Sequence, residues 1–489
     1  MTAVSVLGVW LTPVLWLSMP MLIVARGTDG LWIALVLVLA PLVALGIRPS
    51  PRGSAMPESG YPVVVLVATV VFLFWANMIL AGDVAAWLGV PRWHGIAVTV
   101  VSGCLVTAWR GARRLVPVLL LVAMLAVSGP LAELSRTAGT GPLGAWARVA
   151  AQPAFRFPAS SLWVTRGLPF ASMSDREPIR FDEEHRITVP SGGRLVARTA
   201  DGGRADSLDL TLAAGQSVVF RPGDRLQSTS APRVQFEPDK RVPGSPVSGV
   251  AWATGRPPDW PRSAGLAVTL LFAALALCYA GRPVRASRAT VAAITVGGVV
   301  AFLWAQVWAV YALLVSPDVL LGAVTPDRLL ALPSLRDDLV GTWLQSLLIV
   351  GGLGSFLASS IVLRERLATL DATGGGEIGR DLGLWTGVFA SAGLAAVWRL
   401  DCWSLALLGL GAAASGLGAI MLGGDAVAPP PMAAFAGSVG LAVFSALAVI
   451  DHIRPGTDGP LGALFAYPAL AAVPAAFLTL RVCRAVASR

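Results

Sequence analysis

Charged side chains are scarce in this chain of 489 residues. They account for 13% of the sequence, whereas soluble domains carry roughly 25%. Hydrophobic residues account for 55%, and the mean hydropathy is +0.71. This balance excludes an ordinary soluble fold and predicts a polytopic membrane protein whose first partner is the lipid bilayer.

Residues that build metal, disulfide and nucleotide sites are equally rare. The chain has three histidines and four cysteines, and no two cysteines form a C-x-x-C pair. It also has no G-x-x-x-x-G-K-[ST] loop, so we expect no bound nucleotide. These absences argue against a disulfide framework, a zinc centre and an ATP-driven enzyme, and we predict no cofactor.

Ionisable side chains are almost absent from the hydrophobic segments. Asp83 and Glu133 lie near the ends of such segments, and the polar groups at their middle are amides, namely Asn77, Gln306 and Gln345. Proton- and sodium-coupled transporters place charged residues along their pathways because those charges couple ion movement to transport. The sequence therefore argues against a proton-driven pump.

Hydrophobic segments of suitable length predict a mainly α-helical transmembrane bundle of about twelve helices, five before and seven after a polar insert. The predicted domains are a helical block at 1–134, an insert at 135–262 and a second helical block at 263–489. The predicted spans are Val4–Ala25, Leu31–Ile47, Tyr61–Ala81, Gly95–Trp109, Leu115–Leu134, Ser263–Ala280, Ala289–Val315, Asp338–Leu363, Leu382–Trp398, Trp403–Leu422, Met432–Ile450 and Leu461–Leu480.

Arginine placement predicts the orientation of these helices. With the N-terminus in the cytoplasm, the cytoplasmic connections and tail hold fourteen arginines and the short outer loops hold six. Cytoplasmic loops of membrane proteins are enriched in basic residues, so both termini are predicted to be cytoplasmic and the insert extracytoplasmic. The expected location is the bacterial cytoplasmic (inner) membrane. The same rule accounts for the net charge of +9 without nucleic acid as a partner.

The insert changes character along its length. Residues 135–178 are irregular and rich in Pro, Gly and Ser, residues 179–254 are β-rich, and 255–262 form a return linker. In Ser207–Leu212 the leucines alternate with polar residues, as in a half-buried strand. We predict a small antiparallel β-sandwich or barrel of five to seven strands. The net charge of the whole insert, +5, suits an anionic lipid surface or an acidic partner, or is a solvated basic face.

Two histidines, His94 and His452, fall in outer loops of the predicted topology. Imidazole is a ligand of haem iron, so the pair is a candidate haem site. Many helices, an outer β-rich domain and outer histidines together resemble, in architecture, the haem-handling cytochrome c biogenesis proteins. The W-G-x-x-W-x-W-D-type loop of that family has no counterpart, because the nearest tryptophan to Trp93 is Trp87. The resemblance implies haem only as an alternative to a chain without a cofactor.

Acidic residues give two further candidate sites. Asp182, Glu183, Glu184 and His185 are consecutive and could bind a divalent cation or form an acid–base pair. Asp337 and Asp338 precede a predicted span, where paired acids could bind a metal for glycosyl transfer. A solvated loop for the first group and helix N-capping for the second are the structural alternatives.

These observations favour a non-catalytic integral membrane protein. We expect an accessory, assembly or structural subunit of a membrane, envelope or respiratory-type complex, with its outer β-domain in contact with other membrane protein subunits. One alternative is a transporter or flippase of a lipid-linked or amphipathic substrate. A second alternative is an outer-face haem-handling protein or metal-dependent transferase.

Overall fold

The fold is mostly helical, with one β-rich region near the middle of the chain. The computed structural model describes residues 3–10, 12–47, 60–87, 90–109, 111–158, 163–164, 179–198, 207–229, 233–254, 260–279, 287–321, 339–370, 402–422, 430–453 and 459–487. The α-helices are α1 Ala3–Trp10, α2 Pro13–Arg26, α3 Thr28–Gly46, α4 Gly60–Trp87, α5 Arg92–Ala108, α6 Val116–Ala138, α7 Pro142–Ala150, α8 Gly249–Thr254, α9 Trp260–Tyr279, α10 Arg288–Val315, α11 Leu339–Leu370, α12 Cys402–Ala413, α13 Ala419–Leu422, α14 Pro430–Ile453, α15 Gly459–Ala466 and α16 Ala469–Ala487.

Seven of the described helices are long and apolar enough to cross a membrane. Their spanning parts are Thr28–Gly46, Val64–Ala85, Ala112–Glu133, Arg288–Val315, Gly341–Glu365, Pro431–Asp451 and Ala469–Val486. Three shorter apolar helices cover Pro13–Arg26, Ser263–Cys278 and Cys402–Gly418. The predicted span Leu382–Trp398 lies outside the described residues. The structure therefore supports a helical membrane protein, while the count of twelve spans stays a prediction.

The first predicted span, Val4–Ala25, is divided into two helices. α1 ends at Trp10, and α2 begins with Pro13 in its first turn. Proline has no N–H to donate to a preceding turn, so it is tolerated at the start of a helix and breaks one that would continue through it. Pro20 lies inside α2 without ending it.

Helices from the two halves of the chain pack against one another. α6 packs along α11, α4 along α12, α3 along α9 and α2 along α10. Small residues allow close approach, because a Cβ on Gly409 would lie 3.1 Å from the Thr69 carbonyl oxygen. The two hydrophobic blocks thus form one bundle rather than two.

In the part of it that the structure describes, the β-rich region is an antiparallel sandwich of eight strands. One sheet has the strand order β1-β8-β3-β6 and the other has the order β2-β7-β4-β5. This arrangement of eight antiparallel strands in two sheets is that of a jelly roll. The strands are β1 Trp163–Val164, β2 Ile179–Arg180, β3 His185–Val189, β4 Gly193–Arg198, β5 Ser207–Leu212, β6 Gln216–Phe220, β7 Arg225–Thr229 and β8 Arg233–Phe236.

The structure confirms antiparallel sheets. Seven of the described strands, β2 to β8, lie within the predicted β-rich residues 179–254, in agreement with the predicted five to seven strands, and β1 precedes that range. The two strands of only two residues, β1 and β2, are too short to show an alternating pattern. Alternation is clear in β3, where Ile187 and Val189 are buried and Arg186 is exposed. Successive side chains point to opposite faces of a strand, so these residues turn inward to the core between the sheets.

Candidate functional site

A two-stranded neck joins the β-sandwich to the helices. The entering segment, 152–157, runs beside the leaving segment, 239–249. The Phe157 N–H donates to the Lys240 carbonyl at 2.8 Å, and the Val242 N–H donates to the Phe155 carbonyl at 2.8 Å. The neck leads from the sandwich to α7 on one side and α8 on the other. Paired backbone hydrogen bonds make this connection an ordered ribbon rather than a pair of linkers.

The helical end of the neck is locked into the bundle. Trp252 of α8 is 2% exposed, and its indole N–H donates to the Val24 carbonyl at 2.9 Å. Its ring also packs against Trp146 of α7, with ring centroids 4.9 Å apart. Gly27, with φ of 57°, lies so close that a Cβ there would be 1.8 Å from the Trp252 carbonyl oxygen. Such an approach is open only to glycine, so the α2–α3 turn and α8 fit together at one position.

Hydrogen bonds to the neighbouring helices reinforce this junction. The Thr28 hydroxyl of α3 donates to the Ala253 carbonyl. The Tyr311 hydroxyl of α10 donates to the Thr140 carbonyl, in the turn between α6 and α7. The α7–α8 junction, at the helical end of the neck, therefore contacts helices from both halves of the chain.

His185 lies at the end of the sandwich nearest the neck, inside an aromatic chamber. It is 1% exposed and is surrounded by the rings of Phe157, Phe181 and Phe236, with centroid distances of 6.1, 5.3 and 6.4 Å. Its Nδ1 has no hydrogen-bond partner. Burial lowers the pKa of His185, and the nearby Glu183 carboxylate opposes this effect in part. The neutral imidazole is therefore the favoured form.

Two of the acidic residues beside His185 contact Arg241 of the neck. Glu183 Oε1 accepts a 2.6 Å hydrogen bond from the Arg241 backbone N–H and lies 4.0 Å from His185 Nε2. Asp182 forms an ion pair with Arg241, at 3.8 Å. Within the described part of the chain, no group of three or more His, Cys, Asp or Glu side chains could hold a metal ion. Asp182 and Glu183 thus join the sandwich to Arg241 of the neck.

Three arginines form a row across the outer face of the second sheet. Arg180 of β2 lies directly opposite Arg225 of β7, and Arg225 lies directly opposite Arg198 of β4. All three side chains are exposed. Side chains at directly opposed positions of an antiparallel pair have Cβ atoms about 4.5–5.5 Å apart, and like charges there destabilise the sheet. We refer to these three residues as the arginine row.

A nearby arginine on the same sheet shows how such a charge is usually neutralised. Arg194 of β4 donates from Nε to Asp209 of β5 at 2.6 Å, and its second guanidinium nitrogen contacts the other carboxylate oxygen. The pairing lowers the pKa of Asp209. Among the residues that the structure describes, no carboxylate pairs in this way with any member of the arginine row.

The histidines predicted as haem ligands lie on different helices. His94 is exposed in the first turn of α5 and stacks on the Trp93 ring, with centroids 3.5 Å apart. His452 belongs to the last turn of α14. α5 packs on α4 and α11, whereas α14 packs mainly on α16 and α15. The side chain of His452 lies outside the described part of the structure, and the joint role of the two histidines stays a prediction.

The predicted metal pair Asp337 and Asp338 lies outside the described residues. Asp83 of α4 is described, and it forms a 2.8 Å ion pair with Arg92 in the first turn of α5. This pairing explains how an acid that is only 4% exposed is accommodated there.

Sequence reasoning missed the arginine row and the interior position of His185. Alternation on each strand places an arginine on the outer face, but it does not show which strands are neighbours. No family model matches this chain, and no curated protein matches it. The described residues define a mostly helical protein with seven candidate membrane spans and an attached β-jelly roll.

Proposed function

We propose that this chain is a non-catalytic accessory or assembly subunit of a membrane complex that presents its β-domain to partner subunits. The observation that carries the proposal is the locked neck, in which Trp252 and Gly27 fix the sandwich on the bundle. A binding surface held in one orientation loses little entropy when a partner docks, which is the advantage of preorganisation. A tether between two independent units would have no need of the contacts of Trp252 and Tyr311.

The proposed location is a bacterial cytoplasmic membrane, with both termini in the cytoplasm and the β-domain outside it. Seven apolar helices support a membrane location. The excess of arginine in the loops assigned to the cytoplasm supports the orientation. The β-domain would then meet partners in the periplasm or at the outer surface of the cytoplasmic membrane.

A transporter or flippase of an amphipathic substrate is the second candidate. The indole N–H groups of Trp304 and Trp308 in α10 and the hydroxyl of Thr12 are buried, without a hydrogen-bond partner. Buried polar groups are normally satisfied, so unsatisfied donors within a bundle are places where a polar part of a ligand could bind. The stacked rings of Trp304 and Trp308, with centroids 5.5 Å apart, would form an apolar wall beside them.

Native mass spectrometry of the full chain, extracted from its own membrane in a mild detergent, tests the first proposal. We expect partner subunits in fixed stoichiometry. The variant Gly249→Ala should lose them, because its Cβ would lie 1.8 Å from the Val149 carbonyl oxygen and would separate α8 from α7. Gly141→Ala is the matched control, since a Cβ there meets nothing within 4 Å.

Two results would overturn this proposal. One is a chain that migrates alone, with or without a lipid-linked molecule bound to it. A bound molecule that is lost in Trp304→Phe plus Trp308→Phe would establish the second candidate instead. The other is a partner set that Gly249→Ala retains as fully as Gly141→Ala does, because partner binding would then not depend on the fixed β-domain.

A further inference from the structure

We propose that the arginine row, Arg180, Arg225 and Arg198, binds the phosphate groups of anionic lipids at the membrane surface beside the neck. The proposal does not depend on the accessory-subunit function, because it concerns the outer face of one sheet and the bilayer in which the same chain is embedded. It assigns a lipid-binding role to three residues that the sequence alone places 18 and 27 positions apart.

Without a ligand, repulsion between the three arginines destabilises the sheet. The register aligns three guanidinium groups at directly opposed positions on β2, β7 and β4. Inward neighbours of the row, Ile179 and Leu226, are buried in the core, so the strands cannot slip by one residue without exposing them. The arginines are thus held together by the same register that builds the core. An anion between them would remove their mutual repulsion.

A hydrogen bond and ring contacts connect the row to the neck. Phe181 follows Arg180, and Asp224 precedes Arg225. The Phe181 N–H donates a 3.0 Å hydrogen bond to the Asp224 carbonyl. Phe181 packs on His185, whose neighbour Glu183 accepts the hydrogen bond from Arg241 of the neck. The row therefore lies at the end of the sandwich from which the neck leads to the bundle.

The neck is short enough to keep the row close to the bilayer. Six extended residues, such as 152–157 of the neck, span at most about 20 Å. A long arginine side chain shortens the remaining gap, and the attraction between a cation and an anionic surface extends over roughly 8 Å at physiological salt. Lipid headgroups are consequently the anions that lie nearest to this end of the sandwich.

The chemistry of the arginine side chain favours phosphate as the ligand. Guanidinium groups are planar, permanently charged and able to donate two parallel hydrogen bonds to phosphate oxygens. Three of them side by side suit a phosphodiester or a short array of phosphodiesters better than a single carboxylate. The position beside the neck favours a lipid over an acidic protein, which would meet the far end of the sandwich just as easily.

The test is a titration of the full chain, in a nonionic detergent, with dihexanoylphosphatidylglycerol and with dihexanoylphosphatidylcholine. The ratio of the two affinities removes the effect of partition into micelles. We expect preference for phosphatidylglycerol. In Arg198→Gln plus Arg225→Gln it should fall about 30-fold, because each arginine near an anionic surface contributes roughly a five-fold gain. The control, Arg186→Gln plus Arg221→Gln, removes the same charge from exposed positions outside the row and should change the ratio less than three-fold.

Each remaining outcome overturns the proposal. An equal fall in both double variants would show that net charge, and not the row, attracts the lipid. Displacement of phosphatidylglycerol by inorganic phosphate at equal concentration would make the row a site for free phosphate. A wild-type chain with no preference between the two lipids, but with a bound acidic protein that the row variant loses, would make it a protein-binding surface. The four substituted arginines, Arg198, Arg225, Arg186 and Arg221, are all exposed, and circular dichroism verifies that the variants fold.

Discussion

At the scale of single residues, His185 is the most unusual side chain in the β-domain. A histidine enclosed by three phenylalanine rings, with one ring nitrogen unpaired, gains little from its polarity in the folded chain. Burying an unsatisfied polar atom costs free energy that an apolar side chain of similar shape would not lose. The residue therefore destabilises the sandwich slightly and makes its stability depend on pH.

The pH dependence has a defined sign. Because burial lowers the pKa of His185, the unfolded chain takes up a proton at a higher pH than the folded chain does. Stability should be fully present above the unfolded pKa of about 6.5 and should fall as the pH drops below it. We expect His185→Phe to abolish this loss between about pH 6.5 and 5, measured as thermal unfolding of the full chain in detergent. His94→Phe, which replaces an exposed histidine, is the control.

His185→Ala provides the complementary measurement. It removes the ring and leaves a cavity between the phenylalanines, so it should lower stability by about 2–4 kcal/mol at pH 8, where His185→Phe should cost less than about 1 kcal/mol. Equal losses of stability in both variants would contradict the view that His185 acts as a space-filling ring among the phenylalanines. They would show that the imidazole itself, and not its volume, stabilises the sandwich.

Residue-level reading of the sequence succeeded where a property is local. The alternation in Ser207–Leu212 predicted a strand, and the consecutive acids and His185 marked the start of the strand region. It failed for the arginine row, because β2 lies beside β7 and β7 beside β4 only through long-range pairing. Nothing within a single strand specifies its neighbours in space.

At the scale of elements, the neck depends on glycines that allow backbone segments to touch. Gly27 stands alone between α2 and α3, and its positive φ lets the chain reverse there. Sequence reasoning expected one span from Val4 to Ala25 and made no prediction for Gly27. Its second role, the contact with the Trp252 carbonyl, arises from a partner 225 residues away and has no local signal.

Gly27→Ala should cost more stability than Gly139→Ala. Gly139 has a left-handed conformation (φ 66°, ψ 22°), where a Cβ costs roughly 1–2 kcal/mol, whereas Gly27 (φ 57°, ψ −129°) has a conformation that is restricted more strongly to glycine. Only at Gly27 does a Cβ collide with backbone, whereas at Gly139 it meets nothing within 4 Å. We expect Gly27→Ala to cost at least about 2 kcal/mol more. Thermal unfolding, followed by tryptophan fluorescence, measures the difference; equal costs would mean that α8 is not locked against the turn.

At the scale of the whole molecule, the orientation of the chain is testable with single cysteines. In a variant without the four native cysteines, Ala214→Cys lies in the exposed β5–β6 turn and Ala485→Cys in the exposed last turn of α16. We expect a membrane-impermeant maleimide to label the first in intact spheroplasts and the second only after permeabilisation. The reverse pattern, or labelling of both on one side, would refute the topology derived from arginine placement.

The interleaving of the two halves makes a stronger claim about the molecule as a whole. Because α6 packs along α11, α4 along α12 and α3 along α9, neither half can bury its apolar faces alone. A protease site inserted between Gly202 and Gly203, in the segment that joins β4 to β5, would cut the chain into an N-terminal and a C-terminal part.

The cleaved protein should migrate as one particle in mild detergent and come apart only on denaturation. The two parts share the whole helical interface, and β4 and β5 remain paired over six residues across the cut. Size-exclusion chromatography before and after cleavage measures this directly. Separation of the parts in mild detergent would show that the helical blocks are independent bundles joined through the insert. Retention of a single particle is the result that the shared helical interface and the β4–β5 pairing together require.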